Sequence, residues 1–327
     1  MLQERKDRKE SSGIKQLWEI TKPNNPQNAA FYLELLLETL VIPKQQRYET
    51  PFLRPKKSGG VRLIVPAKEP LRTTQYFLSN WMRENLPQGD DYCYTGRKVN
   101  AALAVHCESS HALVCDLKDA FDQVTAEKIR HWFSFHNQDL RGKPLEILVD
   151  LLTYQDRAPQ GCRSTAFAYN VVVSEMDSHL ELIAKSLGLK KWTRYSDNIC
   201  FSAKHEFDHQ TLEAQVRRIA KGFGFEISWA KPFSGKIEYL GANIEDGKIF
   251  IPDEKVGEFA DKIFDWLESA DPAVYYHQAL GILTWAKTLS GPNVHGFLLE
   301  TLDTYFRKVG KPGTVEKNMR NAYGKML

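Results

Sequence analysis

Apolar positions along this chain recur at two periods, and the changes between them mark out its elements. Leu33, Leu36, Leu37 and Leu40 fall at helical spacing, which predicts a helix over 27–40 that Pro43 ends, after another over 11–21. Phe52-Leu53-Arg54 and Val61-Arg62-Leu63-Ile64-Val65 flank Lys56-Lys57-Ser58-Gly59-Gly60, two alternating runs about a Ser-Gly-Gly turn that predict a hairpin with a basic tip. Helices follow over 71–86, stopped by Pro87, and over 101–106. The strand-like run Ala112-Leu113-Val114-Cys115 then stops at Asp116. Helical patterns occupy 126–135 and 144–153, and the turn Pro159-Gln160-Gly161 leads into a long helix through Phe167, Asn170, Val173 and Met176. Two short strand-like pieces, 190–195 and 198–202, enclose a tight polar turn. A helix over 210–223, a strand over 225–228 and a hairpin, 238–244 with 248–251 around Glu245-Asp246-Gly247, complete a mixed α/β body. Beyond Pro252 the pattern is helical, over 256–267, 272–289 and 295–308, so the clearest boundary lies near residue 252.

Composition narrows the class without deciding the function. The 327 residues suffice for two or three packed subregions, and 42% hydrophobic with 26% charged residues describes an ordinary globular protein. A net charge of +3 is too small to argue for a polyanionic partner; the clearest local excess, Arg307, Lys308, Lys311, Lys317, Arg320 and Lys325, fits phosphate contacts or a solvated basic tail equally. The five cysteines include no C-x-x-C pair, which argues against a zinc site or disulfide framework and makes a reducing cytoplasm the expected home. No apolar run approaches the ~20 residues of a membrane span. The charged N-terminus resembles neither a signal nor a transit peptide.

The residues that carry chemistry are acids at strand ends. Arg194-Tyr195-Ser196-Asp197-Asn198 sets an acid in a tight turn between two strand-like pieces, a place to hold a carboxylate rigidly beside a metal. One carboxylate rarely suffices for a Mg²⁺ that acts on phosphates, and Asp116 is the best second ligand. Lys57 and Arg62 on the basic hairpin could both reach a triphosphate, although solvent-facing hairpins with a few lysines are common. The loop before the long helix leaves backbone N–H groups that suit a phosphate or a base edge, as many ordinary turns also do.

Taken in order, Val114-Cys115-Asp116-Leu117-Lys118-Asp119-Ala120-Phe121, Pro159-Gln160-Gly161, Arg194-Tyr195-Ser196-Asp197, Lys231 and Tyr239-Leu240-Gly241 resemble bacterial reverse transcriptases of the retron, group II intron and phage-defence types, over roughly residues 50–310. The resemblance implies an α/β (α+β) right-hand polymerase: fingers over 1–110, a palm with an antiparallel sheet and interleaved finger helices over 111–251, and a helical thumb over 252–327. It implies RNA-directed DNA synthesis by two-metal nucleotidyl transfer, with Mg²⁺, or alternatively Mn²⁺, held by Asp116, Asp197 and the carbonyl of Asn198. Phe121 would be the gate against a ribose 2′-hydroxyl. Pro159, Gln160 and Gly161 would bear on template and incoming base, and Lys57 and Arg62 on the triphosphate. Lys231 would give a proton to pyrophosphate; Tyr195 would pack beside the primer end, and Tyr239, Leu240 and Gly241 would form the primer grip. Asp119 and Asp122 read as ordinary helix-start acids. The implied partners are an RNA template, a DNA product, dNTPs, a cognate non-coding RNA in antiphage defence and an effector protein, with no membrane.

Three departures qualify the resemblance. Most relatives read Tyr-x-Asp-Asp at the turn, and here Asn198 removes one negative charge, which implies weaker Mg²⁺ binding or a relative preference for Mn²⁺. Retron enzymes tend to carry Asn-Ala-x-x-His; here Gly96-Arg97 and His106 are present, but four residues separate Asn100-Ala101 from His106. Tyr239-Leu240-Gly241 stands where those enzymes have Val-Thr-Gly, closer to the intron and defence branches. The chain ends soon after the helical unit, so no maturase or endonuclease addition is expected. Two other functions fit the same residues: untemplated or protein-primed DNA synthesis of the abortive-infection type, and a nucleic-acid-binding scaffold with weakened chemistry.

Overall fold

The chain's contacts divide it into two units that interleave along the sequence, Met1–Gly96 with Asp116–Ile183 and Ala214–Trp229, and Arg97–Cys115 with Ala184–Glu213 and Ala230–Leu327. The structure, a computed structural model, describes residues 2–56, 59–87, 99–290 and 294–323. Lys57, Cys93 and Gly96-Arg97 lie outside the described residues.

In the first unit, helices α1 (Leu2–Thr21), α2 (Pro26–Val41), α3 (Leu71–Asn85), α5 (Ala126–His136) and α6 (Lys143–Leu152) pack together, α1 on α6 and α2 on α3. Strands β1 (Phe52–Pro55) and β2 (Val61–Ile64) form the expected hairpin, in antiparallel register with Arg54 opposite Arg62. Helix α1 begins nine residues earlier than its apolar period suggested, because the charged run before Ser11 contains no proline or glycine to stop it. The first unit also holds most of α7 (Thr165–Ser186) and α8 (His209–Gly222).

The second unit is organised on a sheet ordered β4 (Lys191–Tyr195), β5 (Asn198–Ala203), β3 (His111–Leu117), β6 (Ile227–Ser234). Strands β3 and β6 run on across the division between the units. Ala112 to Cys115 and Ile199 to Phe201 are almost wholly buried, each large side chain contributing about 1.5–3 kcal/mol through burial. Helix α4 (Val99–His106) packs against β4.

Strand β6 passes through Pro232, where the pattern ended a strand before Lys231. It can do so because it is the edge of the sheet and a missing N–H is tolerated there. The late hairpin is a three-stranded meander, β7 (Ile237–Tyr239), β8 (Ala242–Glu245) and β9 (Lys248–Phe250), with Leu240 and Gly241 both at positive φ in the first turn. Among the described residues four helices follow: α9 (Asp253–Glu268), α10 (Tyr276–Ser290), α11 (Gly296–Lys308) and α12 (Thr314–Tyr323). Residues 272–289 are not one helix: Asp271 accepts from the Ala273 N–H, Pro272 starts a short 3-10 turn, and α10 begins after it. The basic C-terminal stretch contains a helix, α12, rather than only a tail.

The Pro159-Gln160-Gly161 loop is fitted tightly to β2. The Val65 N–H donates to the Gln160 carbonyl at 2.7 Å, and the Cys162 thiol donates to the Val65 carbonyl at 3.2 Å. Gly161 sits at φ +103°, and a Cβ there would lie 2.8 Å from Ile64 Cγ2, so both conformation and space require glycine. Gly161→Ala is expected to cost about 1–3 kcal/mol in a denaturant titration. An unchanged midpoint would contradict this packing.

Candidate active site

In the first unit the candidate chemistry begins where β3 ends. Asp116 is partly buried, and Ser228 donates its hydroxyl to Asp116 Oδ2 at 2.6 Å. Burial raises the Asp116 pKa above the ordinary carboxylate value; the Ser228 hydrogen bond opposes that rise, and the charge of Asp119 adds to it.

Asp119 has left-handed backbone at φ +44°, and its carboxylate pairs with Lys56 on the basic hairpin. The 3-10 turn that follows, Ala120–Gln123, carries Phe121. Arg157 donates to the Asp122 carbonyl at 3.1 Å, and Gln160 Nε2 donates to the Asp122 carboxylate at 2.9 Å. A circuit of bonds therefore runs from the hairpin through Lys56 and Asp119 to the Phe121 turn, on through Asp122 to Gln160, and back through the Gln160 carbonyl to Val65. Asp119 does not cap the turn with its side chain. Asp119 and Asp122 do stand at the start of a helical turn, as expected, and they also tie that turn to the hairpin and to the loop at 159–161. The Phe121 ring lies 4.6 Å from the ring of buried Tyr169.

On the hairpin itself Arg62 is exposed and stands directly across the ladder from exposed Arg54. Like charges so placed repel, which makes this face suited to a polyanion. Arg54 belongs with Arg62, and the alternation of the two strands could have identified it.

In the second unit Tyr195 pairs with Asn198 to close the β4–β5 hairpin, leaving Ser196, at φ +57°, and Asp197 as the turn. Asn198 Nδ2 donates to Asp197 Oδ1 at 3.0 Å. An amide N–H on a carboxylate favours the charged form, whereas a second carboxylate would repel it. Fully buried Arg194 donates to the Ser196 carbonyl at 3.3 Å.

Beneath this turn lies a buried network that joins residues far apart in sequence. His106 Nδ1 is 2.6 Å from Ser202 Oγ, His106 Nε2 is 2.8 Å from Thr193 Oγ1, and Ser202 donates to Ser109 at 2.9 Å. The Tyr239 hydroxyl lies 3.1 Å from Thr193 Oγ1 and 3.4 Å from the Asn198 carbonyl. Because Ser202 gives its proton to Ser109, it accepts from His106 Nδ1–H, and Nε2 is left to accept from Thr193. Burial pushes the His106 pKa down to about 3, with the Lys191 charge adding to the effect, so the imidazole is neutral as this pattern requires.

Tyr239 is 2% exposed, so its side chain faces this network, and Leu240 and Gly241 are the parts of that turn left at the surface. Lys231 is exposed on β6, donates to Glu238 at 3.1 Å and lies 4.7 Å from the Phe233 ring. Among the described residues no three His, Cys, Asp or Glu side chains gather into a metal cluster.

Comparison with known proteins bears on the same segment. The model of the family described as reverse transcriptase (RNA-dependent DNA polymerase) matches residues 54–244. The chain is 27% identical over 207 residues to the retron Mx65 reverse transcriptase of Myxococcus xanthus, covering 57% of this chain and 47% of that protein. It is 30% identical over 122 residues to the retron Ec86 reverse transcriptase of Escherichia coli, covering 37% of this chain and 35% of that protein. The chain thus spans less than half the length of either relative. Among solved structures, the BmCPV RNA-dependent RNA polymerase in an elongation state matches with a TM-score of 0.51 at 12% identity, covering 84% of this chain and 27% of that one, a likeness of fold.

The His106 network gives a pH signature. The unfolded state binds a proton at His106 near pH 6.5 and the folded state only near pH 3, so this contribution is complete above pH 6.5 and falls as the pH drops through that window. Between pH 6.5 and 5 the wild type should lose about 2 kcal/mol more than His106→Gln. Denaturant midpoints at the two pH values measure this; equal losses would contradict a buried neutral imidazole.

Proposed function

Because the chain belongs to the reverse transcriptase (RNA-dependent DNA polymerase) family, we propose that it synthesises DNA on an RNA template from deoxynucleoside triphosphates. One observation carries the reading: the matched segment, 54–244, includes the whole ordered series from the basic hairpin through Asp116, Phe121, Gln160, Asp197 and Lys231 to the turn at Gly241.

In this reading Asp116, Asp197 and the carbonyl oxygen of Asn198 hold divalent metal, Mg²⁺ or Mn²⁺. The donor set is suitable: all three are hard oxygen donors, and a partly buried carboxylate such as Asp116, whose charged form burial disfavours, gains from a cation. When bound, the metal supplies charge stabilisation to the reacting phosphate and lowers the pKa of the attacking hydroxyl. Ser228 orients Asp116, and the Asn198 amide orients Asp197. Lys57, Arg62 and Arg54 bind the triphosphate as cations, and Lys231 Nζ gives its proton to the leaving pyrophosphate oxygen. Phe121 closes the sugar site, while Pro159, Gln160 and Gly161 bear on the template and incoming base. Tyr195 packs beside the primer end. Leu240 and Gly241 meet the primer backbone, with buried Tyr239 fixing their turn from below.

The finer setting belongs to the same proposal: a dedicated non-coding RNA as template, an effector protein as partner, and a role in antiphage defence in the cytoplasm. No helix among the described residues is long and apolar enough to cross a membrane. Both relatives are named as retron reverse transcriptases, and this proposal extends a retron setting to the chain.

Incorporation of labelled dNTPs by the purified chain tests the reading. Asp197→Ala should fall to the level of a no-enzyme control, and equal incorporation by both proteins would refute it. In the same assay Asn198→Asp should reach half-maximal rate at lower Mg²⁺ and lose any preference for Mn²⁺; an unchanged metal dependence would show that the amide does not tune the site.

A further inference from the structure

A gate that separates deoxyribose from ribose must resist displacement, because the two sugars differ by one oxygen atom. The backbone of Phe121 meets that need through its own 3-10 turn, held by Lys56 at Asp119 and by Arg157 and Gln160 at Asp122. Its side chain is only partly buried, so ring position depends on what stands behind it. That neighbour is Tyr169 on α7, fully buried, with ring centroids 4.6 Å apart and planes tilted by 35°. Ala168, Val172 and Val173, near it on the same helix, are also buried, so Tyr169 stands in the core and shortening it would open a void.

We propose that Tyr169 is a positioning residue for sugar selection: its buried ring is the backstop that keeps the Phe121 ring forward against a ribose 2′-hydroxyl. The inference rests on the polymerase reading with Phe121 as its gate. Tyr169 is fully buried behind the Phe121 ring, so its influence on the sugar site passes through that ring. Shortening Tyr169 leaves space into which the Phe121 ring can retreat, and the sugar site gains the volume of a hydroxyl. Removing only the Tyr169 hydroxyl keeps the ring and therefore the gate.

The test is steady-state kinetics of the full chain with one dNTP and its matching rNTP, for wild type, Tyr169→Leu, Tyr169→Phe and Phe121→Val, alongside thermal unfolding of each. Tyr169→Leu should raise the rNTP-to-dNTP ratio of kcat/KM by ~10-fold, mostly through a lower KM for the rNTP. Tyr169→Phe should keep the wild-type ratio. Should Tyr169→Leu fail to fold, Tyr169→Met, which conserves more volume, should move the ratio in the same direction. A folded, dNTP-active Tyr169→Leu with an unchanged ratio, beside a Phe121→Val that does relax it, overturns the backstop and leaves the gate standing. Unchanged ratios in both overturn the gate as well. A wild type that incorporates no dNTP overturns the polymerase reading, and this inference with it.

Discussion

An acid at the end of a buried strand has lost part of its water, and the rest of the candidate site accommodates that cost. Strand β3 is apolar up to Cys115 and then presents Asp116; β4 and β5 are buried along their middles and present Asp197 at the turn between them. A bare carboxylate so placed is disfavoured, as the raised pKa of Asp116 records. What relieves it in the chain itself is hydrogen bonding, from Ser228 to Asp116 and from Asn198 to Asp197. A divalent cation would relieve it further, which is why the same strain that burdens the fold suits the chemistry.

The two units support their acids in different ways. The first uses charge and polar contacts near the surface: Lys56 to Asp119, Gln160 and Arg157 to Asp122, and a glycine that lets the loop at 159–161 lie against β2. Exposed pairs of this kind contribute little stability, about 0–1 kcal/mol each, so their value is positional. The second uses a neutral, buried network in which His106 links Thr193 on β4 to Ser202 on β5. Because His106 stays neutral, the network needs no counter-charge, and its bonds are short and directional.

Much of this was legible in the sequence where the signal is local. The stop of an apolar run at Asp116, the turn between Tyr195 and Asn198 and the start of the long helix after Gly161 are punctuation that period and turn chemistry reveal. The family resemblance was legible because the motifs occur in order. What was not legible depends on pairs distant in sequence: Lys56 with Asp119, Ser228 with Asp116, and His106 with Thr193 and Ser202. Other misses had a local cause. Pro232 reads as a strand end unless the strand is known to be an edge, and the charges of the C-terminal stretch hid the helix Thr314–Tyr323. Tyr239 shares a strand face with buried Ile237, an alternation that points its ring inward.

Asn198 removes one negative charge from the turn where most relatives have a second aspartate, and in the folded chain its amide donates to Asp197 and so supports the remaining carboxylate. These supports serve the templated synthesis proposed for the chain. The most direct measurement is extension of a DNA primer by the full chain on an RNA template of defined sequence, with the product sequenced. DNA complementary to the RNA over the extended length is the expected product. DNA of unrelated sequence, DNA joined to a tyrosine of the protein without regard to template, or RNA bound with no DNA made would contradict it.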